Sequence, residues 1–290
     1  MKYRNPTLPE GINTSRNHPL REFALLSLGA MVLLGAAAMA LGHFAGQLSR
    51  WLISPETEAR WVEQGREQFD QDAAPAPLRR YLDGLCEKVQ AVMESPGGMR
   101  VRLRYIDDDT VNAFATLGGT LILHRGLLEL MPHENALVML IAHETAHIRF
   151  RDPIVSAGNA IGIQAALSLL FSDNDAVPLQ LTGQFTQLSF SRDMEERADQ
   201  SALQAVSAIY GHINGTGDLF RILHAKLAAS GDREPPLLFN THPLGAERIE
   251  SLNRLAERNG WRSDRPTTPL PAEFQTWFGR RKENPASTTD

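Results

Sequence analysis

The hydrophobic positions of this chain follow three patterns, and each predicts a different element. Residues 23–42, FALLSLGAMVLLGAAAMALG, contain no charge and are long enough for a helix to cross the ~30 Å hydrocarbon core of a bilayer. Residues 57–70 and 77–94 repeat apolar side chains at helical spacing. In the second, Leu78, Leu82, Leu85, Val89 and Val92 share one side, and the A-A-P-A-P stretch at 73–77 separates the two helices. Over 99–106 the period drops to two: Val101, Leu103 and Tyr105 alternate with three arginines, the pattern of a half-buried strand with a solvated basic face. Segments 111–117 and 120–124 flank Gly118-Gly119, a spacing that suits a tight hairpin. Helical periods return at 134–150, where Leu137, Leu140 and Ile141 form a stripe stopped by Asp152-Pro153. They return again at 245–259, where Ile249, Leu252 and Leu255 stack ahead of Gly260. Residues 262–290 are polar and Pro-containing and are expected to be loosely ordered.

A further apolar stretch, 154–171, holds Asn159 and Gln164 and barely reaches spanning length. It is expected to pack inside the domain or dip into the membrane surface. The N-terminal run reads as an uncleaved anchor because its apolar character continues past the small-residue sites A-A-A and A-M-A to Ala45; a cleaved signal peptide is the alternative. Lys2, Arg4, Arg16 and Arg21 precede the span, while Arg50, Arg60 and Arg66 follow it. The basic residues nearly tie, with a faint lean to a cytoplasmic N-terminus.

These patterns divide the chain into a cytoplasmic leader (1–22), a transmembrane anchor (23–46), a helical lead-in (55–95), a main domain (96–260) and a tail (261–290). The fold class is α+β, mostly helical with one small sheet, preceded by one transmembrane helix. With 290 residues, 42 % of them hydrophobic and 22 % charged, the chain can bury one sizeable core. A net charge of −5 and the lack of any basic-aromatic cluster argue against nucleic acid as a partner. The single cysteine, Cys86, forbids an intramolecular disulfide and falls in an apolar stripe, as a buried thiol would. No internal repeat is visible.

The chemistry concentrates at 143–147, H-E-T-A-H. Two histidines four apart on a helix lie on one face about one turn, ~5.4 Å, from each other, so His143 and His147 can hold one metal ion while Glu144 points at a water bound to it. By ordinary residue frequencies the pattern arises by chance in roughly one chain in a hundred of this length, and its place inside a Pro- and Gly-free helical stretch argues further against chance. A zinc hydrolase needs a third protein ligand and an open fourth position. On 191–203, S-R-D-M-E-E-R-A-D-Q-S-A-L, Glu195 and Asp199 share a helical face along which Ala198 and Ala202 can pack closely. Glu195 could bind the metal while Asp199 accepts the second ring N–H of a ligand histidine. The alternative is a solvated charged helix, since Arg192, Asp193, Glu196 and Arg197 are adjacent.

Four separated pieces then match one family in its order: N-A-F-A-T-L-G-G-T at 112–120 running into H-R-G-L-L at 124–128, H-E-T-A-H, S-R-x-x-E-x-x-A-D at 191–199, and T-H-P-x-x-x-x-R-I at 241–249. The chain resembles the HtpX-like zinc metallopeptidases, the group that includes the CAAX prenyl endopeptidases and single-anchor bacterial envelope proteases. The resemblance implies a zincin-like (gluzincin) zinc metallopeptidase domain over 96–260, with one Zn2+ per chain on His143, His147 and Glu195, Glu144 as general base and Asp199 behind a ligand. It also implies a substrate-binding edge strand at Asn112, Ala113, Phe114 and Ala115, where an extended peptide adds by main-chain hydrogen bonds. His242 is the candidate for either a donor to the oxyanion or a plug that ligates zinc at rest; a structural histidine is the third reading. Many relatives carry histidine where this chain has Asp152, and that departure is expected to affect helix-end detail alone. The implied activity is a membrane-anchored endopeptidase of the bacterial inner membrane, periplasmic in its catalytic domain. Misfolded or misassembled envelope polypeptides are the implied substrates. A non-proteolytic chaperone or assembly factor with a plugged or vestigial site is the alternative.

Overall fold

A computed structural model describes residues 19–64, 74–171, 190–229, 238, 242 and 246–278. The leader up to residue 18 and the last twelve residues, 279–290, lie outside the described residues, as do 65–70 of the second expected helix. The apolar run forms most of helix α1 (Pro19–Leu52), which is long and apolar enough to cross a membrane. Only 6 % of its most apolar window is buried, and Leu26, Met31, Leu33 and Met39 stand open, so it is not a core helix of the domain. Helices α2 (Pro55–Gln64) and α3 (Ala76–Val92) follow. The stripe of α3 is buried as its period requires, except Val92, which is exposed at the last turn.

A three-stranded sheet stands in the order β1-β3-β2: β1 (Arg102–Ile106) runs parallel to β3 (Thr120–His124), and β2 (Ala113–Thr116) pairs antiparallel with β3. Val101, Leu103 and Tyr105 are buried, and Arg102 faces outward to Glu63 at 3.2 Å. A short helical turn at Leu117–Gly119 closes the hairpin, and Gly118 and Gly119 take positive φ there, which a side chain would resist. Every residue of β2 and β3 is buried, so the hairpin is part of the core.

After the single turn α4 (Arg125–Leu128), helix α5 (Glu134–Phe150) runs through the middle of the domain and is buried from Glu134 to Ile148. Burial on all sides explains why its apolar pattern is broader than a stripe. His133 caps it, its ring Nδ1 accepting from the Ala136 N–H at 3.1 Å. Glu134 in the first turn accepts from the hydroxyls of Tyr81 (2.8 Å) and Tyr210 (2.7 Å), which ties α3 to α7 (Arg192–Tyr210) at that end. Helices α8 (Asp218–Ala229) and α9 (Ala246–Asn259) complete the domain.

Two expectations are corrected. Of the two readings of 154–171, packing inside the domain holds only as far as Gly158: beyond it helix α6 (Asp152–Phe171) leaves the core and lies along α1. The reason is a pair of glycine steps, Gly42/Gly46 and Gly158/Gly162, that let the two backbones meet. A Cβ on Gly158 would stand 2.9 Å from the Gly46 Cα, and one on Gly162 would stand 2.9 Å from the Gly42 Cα. The tail is not loosely ordered over 261–278. Its backbone pairs with the start of α5, Glu134 N–H to the Thr268 carbonyl at 2.9 Å and Thr268 N–H to Asn135 Oδ1 at 2.7 Å. Phe274 is buried edge-on against Tyr81, with Phe278 beside it. Its aromatic side chains outweigh its proline and polar content.

Candidate metal centre

Helices α5 and α7 pack side by side, and Ala198 and Ala202, both fully buried, permit the close approach. From α5, His143 and His147 turn their Nε2 atoms toward each other at 3.0 Å. From α7, Glu195 reaches both, at 3.4 Å from each Nε2. His242 brings its Nδ1 to 2.9 Å from Glu195 Oε1 and 3.3 Å from His143 Nε2. These four buried side chains offer ligand atoms that all lie within 4.8 Å of one another.

The donor set fits zinc on chemical grounds. His143 Nδ1 lies 2.9 Å from Asp199 and His147 Nδ1 lies 2.9 Å from Asp152. Each Nδ1–H therefore donates to a carboxylate, which leaves both Nε2 lone pairs facing one another and a third carboxylate, an arrangement that calls for a cation between them. The spacings also suit it, since four ligands at ~2.0–2.1 Å in a tetrahedron sit ~3.4 Å apart. Burial opposes ionisation of Glu195, but the imidazoles of His242, His143 and His147 hold its carboxyl well below the ordinary range. Burial likewise pushes His242 below the usual histidine value, against the pull of Glu144 and Glu195.

Glu144 is fully buried, its Oε2 accepting the Ala115 N–H of β2 at 2.8 Å and its Oε1 standing 3.3 Å from His242 Nε2. Because the Asn112 carbonyl accepts from the His124 N–H (3.2 Å), the main-chain groups of Ala113 and Ala115 point away from β3. β2 is thus a sheet edge turned to the ring of ligands, with Phe114 buried and with the Asn112 Oδ1 buried and without a hydrogen-bond partner among the described residues. An apolar recess opens beside His143 and Glu144, walled by Met139, Leu140, Leu219, Phe220 and Leu238.

The structure brings together His143, Glu144, His147, Glu195, Asp199 and His242, sets Ala115 of β2 on Glu144, and adds two residues. Asp152 is no helix-end detail: besides His147 it contacts Arg197 of α7 at 2.6 Å, so the expectation for that position is overturned. The reversal of the chain at Arg151, which takes left-handed φ of 58°, folds Asp152 back onto the ligand, and a non-glycine residue there carries no sequence signal of that turn. Phe190 stacks on the His147 ring, 4.0 Å between centroids with planes 15° apart. Its place just before the S-R-x-x-E motif is the one hint the sequence holds. Cys86 is buried, and burial pushes its thiol up to about 11, in keeping with an inert core residue.

A helix bearing two histidines and a glutamate, a second helix bearing a carboxylate, and an edge strand above them define a zincin-type metallopeptidase domain. Residues 78–256 match the model of peptidase family M48, and the chain belongs to that family, whose members are zinc-dependent metallopeptidases. It is similar to the mitochondrial metalloendopeptidase OMA1 of Schizosaccharomyces pombe, 30 % identical over 185 residues that cover 61 % of this chain and 52 % of the relative. It is also similar to a putative beta-barrel assembly-enhancing protease of Vibrio cholerae (27 %, covering 62 % and 40 %) and to a protease HtpX homolog of Polynucleobacter necessarius (26 %, covering 59 % and 73 %). The chain spans about half of the first relative's length and less of the second's.

Proposed function

We propose that this protein is a membrane-anchored zinc endopeptidase that hydrolyses misfolded or misassembled envelope polypeptides. In this reading His143, His147 and Glu195 would hold the zinc, Asp199 and Asp152 fix the two imidazoles, and β2 takes an extended peptide along the edge that does not pair with β3. When bound, zinc supplies the Lewis acid that makes water nucleophilic near neutral pH and polarises the scissile carbonyl. Glu144 accepts the proton of the attacking water and passes it toward the leaving amine. The recess walled by Leu140 and Phe220 receives an apolar substrate side chain. The observation that carries the reading is the Glu144 carboxylate, which bridges the edge-strand amide and the metal cluster at once.

The setting we propose is a bacterial inner membrane, crossed by α1, with the catalytic domain on the periplasmic side; the anchor helix and the bacterial relatives, beta-barrel assembly-enhancing proteases and a protease HtpX homolog, support the membrane part of it. His242 would serve as a resting plug that holds the metal beside Glu195 and His143, as its Nδ1 contacts to both favour. The test is zinc analysis and casein degradation with the full chain beside Glu144→Gln. Equimolar zinc with hydrolysis lost only in the variant supports the reading. Equal cleavage by both removes Glu144 as the base, and zinc without any wild-type cleavage favours the chaperone or assembly role.

A further inference from the structure

The left-handed residue Arg151, at the junction of α5 and α6, is held by the end of α1 and by α2. Its Nη2 donates to Glu58 Oε2 at 2.8 Å and its Nη1 to the Arg50 carbonyl at 2.9 Å, while Arg50 donates back to the Phe150 carbonyl at 2.7 Å. The other oxygen of Glu58 accepts the Gly118 N–H at 3.0 Å. Gly118 sits in the turn that joins β2 to β3, and α2 lies directly on it: a Cβ there would meet the Val62 Cβ at 2.9 Å and the Ala59 Cα at 3.2 Å. Glu58 is 3 % exposed and Arg151 9 %. One buried carboxylate therefore grips both the C-terminal end of the helix that bears the metal histidines and the turn of the edge strand. Glu58 lies outside the residues matched by the family model.

We propose that Glu58 is a positioning residue for substrate, setting the height and register of β2 over the metal centre, so that the helix leaving the membrane anchor belongs to the peptide-binding machinery. The proposal rests on the reading of β2 as the strand that takes the peptide. A buried ion pair is a poor device for stability alone, since an apolar pair of the same volume does as well or better. An apolar side chain at 58 would, however, leave the Gly118 N–H buried without an acceptor. What the carboxylate supplies is a fixed distance between two elements. Ala115, whose N–H meets Glu144, is three residues from Gly118 along a short stiff hairpin, so a shift of the turn moves the strand over the metal. A strand shifted in height or register offers its N–H and C=O groups to the peptide at poorer distances and angles, which weakens binding.

The experiment uses the full chain in detergent with Glu58→Gln and Glu58→Met. It measures bound zinc, melting temperature, and kcat and KM on a casein peptide that the wild type cuts. Gln keeps an oxygen for Gly118, whereas Met keeps none. Zinc stays equimolar and kcat holds, while KM rises about tenfold in Glu58→Met, the worth of one main-chain hydrogen bond, and less in Glu58→Gln. Cleavage also spreads to neighbouring bonds as the register loosens. A lower melting temperature with unchanged KM overturns the proposal and makes Glu58 a brace; lost zinc overturns it in favour of an action on α5. If Glu58→Met does not fold, the KM of Glu58→Gln decides alone, raised in support and unchanged against. The underlying reading fails separately: if the wild type cuts peptides N-methylated beside the scissile bond at the unmodified rate, peptides do not add to β2, whatever the variants do.

Discussion

Replacing Asp152 by alanine removes the acceptor for the His147 Nδ1–H, a contact of 2.9 Å between groups that are both almost wholly buried. The N–H is left in the interior without a partner, the ring loses its fixed tautomer and orientation, and its Nε2 becomes a weaker donor to a metal. A hydrogen bond to a charged group contributes about 1.5–3 kcal/mol, and outer partners of metal ligands typically change affinity ~10–100-fold, so the two scales agree. The second contact of Asp152, to Arg197, adds little, because that side chain is 38 % exposed and solvent screens the pair. Asparagine keeps an oxygen for the Nδ1–H but no charge, and should fall between wild type and alanine. Competition titration against a chromophoric zinc chelator at neutral pH should therefore rank wild type above Asp152→Asn above Asp152→Ala. Asp199→Ala, which strips the matching 2.9 Å contact from His143, should fall near Asp152→Ala. Wild-type zinc affinity in Asp152→Ala beside a weakened Asp199→Ala would refute the reasoning and return Asp152 to the helix junction alone.

Replacing His242 by alanine should raise casein hydrolysis, with self-cleavage visible on gels, if the ring whose Nδ1 lies 2.9 Å from Glu195 and 3.3 Å from His143 is the resting plug proposed above. A fall of on the order of 10²–10³ in kcat would instead make it an oxyanion donor. Phe274→Ala should destabilise the domain by about 3–5 kcal/mol in denaturant unfolding, as expected for a buried aromatic ring, and a loss near zero would return 261–278 to a dispensable tail. Gly158→Leu should force α6 off α1, since even a Cβ meets the Gly46 Cα at 2.9 Å, and lower the melting temperature in detergent by the equivalent of about 1–3 kcal/mol; an unchanged melting temperature would show that the glycine seam does not hold the helices.

Whatever depends on neighbours along the chain was legible in the sequence. The i, i+4 spacing of His143 and His147 puts both rings on one face of any helix, and the same spacing joins Glu195 to Asp199. Alternation over Val101, Leu103 and Tyr105 defines a strand, and Gly118-Gly119 defines a turn, because backbone sterics act over one or two residues. The unbroken run at 23–42 likewise shows its length and apolarity without reference to anything else. Tertiary structure decided what depends on where the chain returns. Asp152 reaches His147 only because Arg151 reverses the backbone, Glu58 reaches Gly118 across sixty positions of sequence, and Phe190 finds the His147 ring only once α7 is docked. The fate of 154–171 was undecidable from composition, since the glycines that let it lie on α1 read equally well as helix breakers until a second helix with matching glycines is set against them. The tail misled for a similar reason: Phe274 and Trp277 are apolar enough to dock, but the surface they dock on is assembled from α3 and the start of α5, and no window of the sequence contains it.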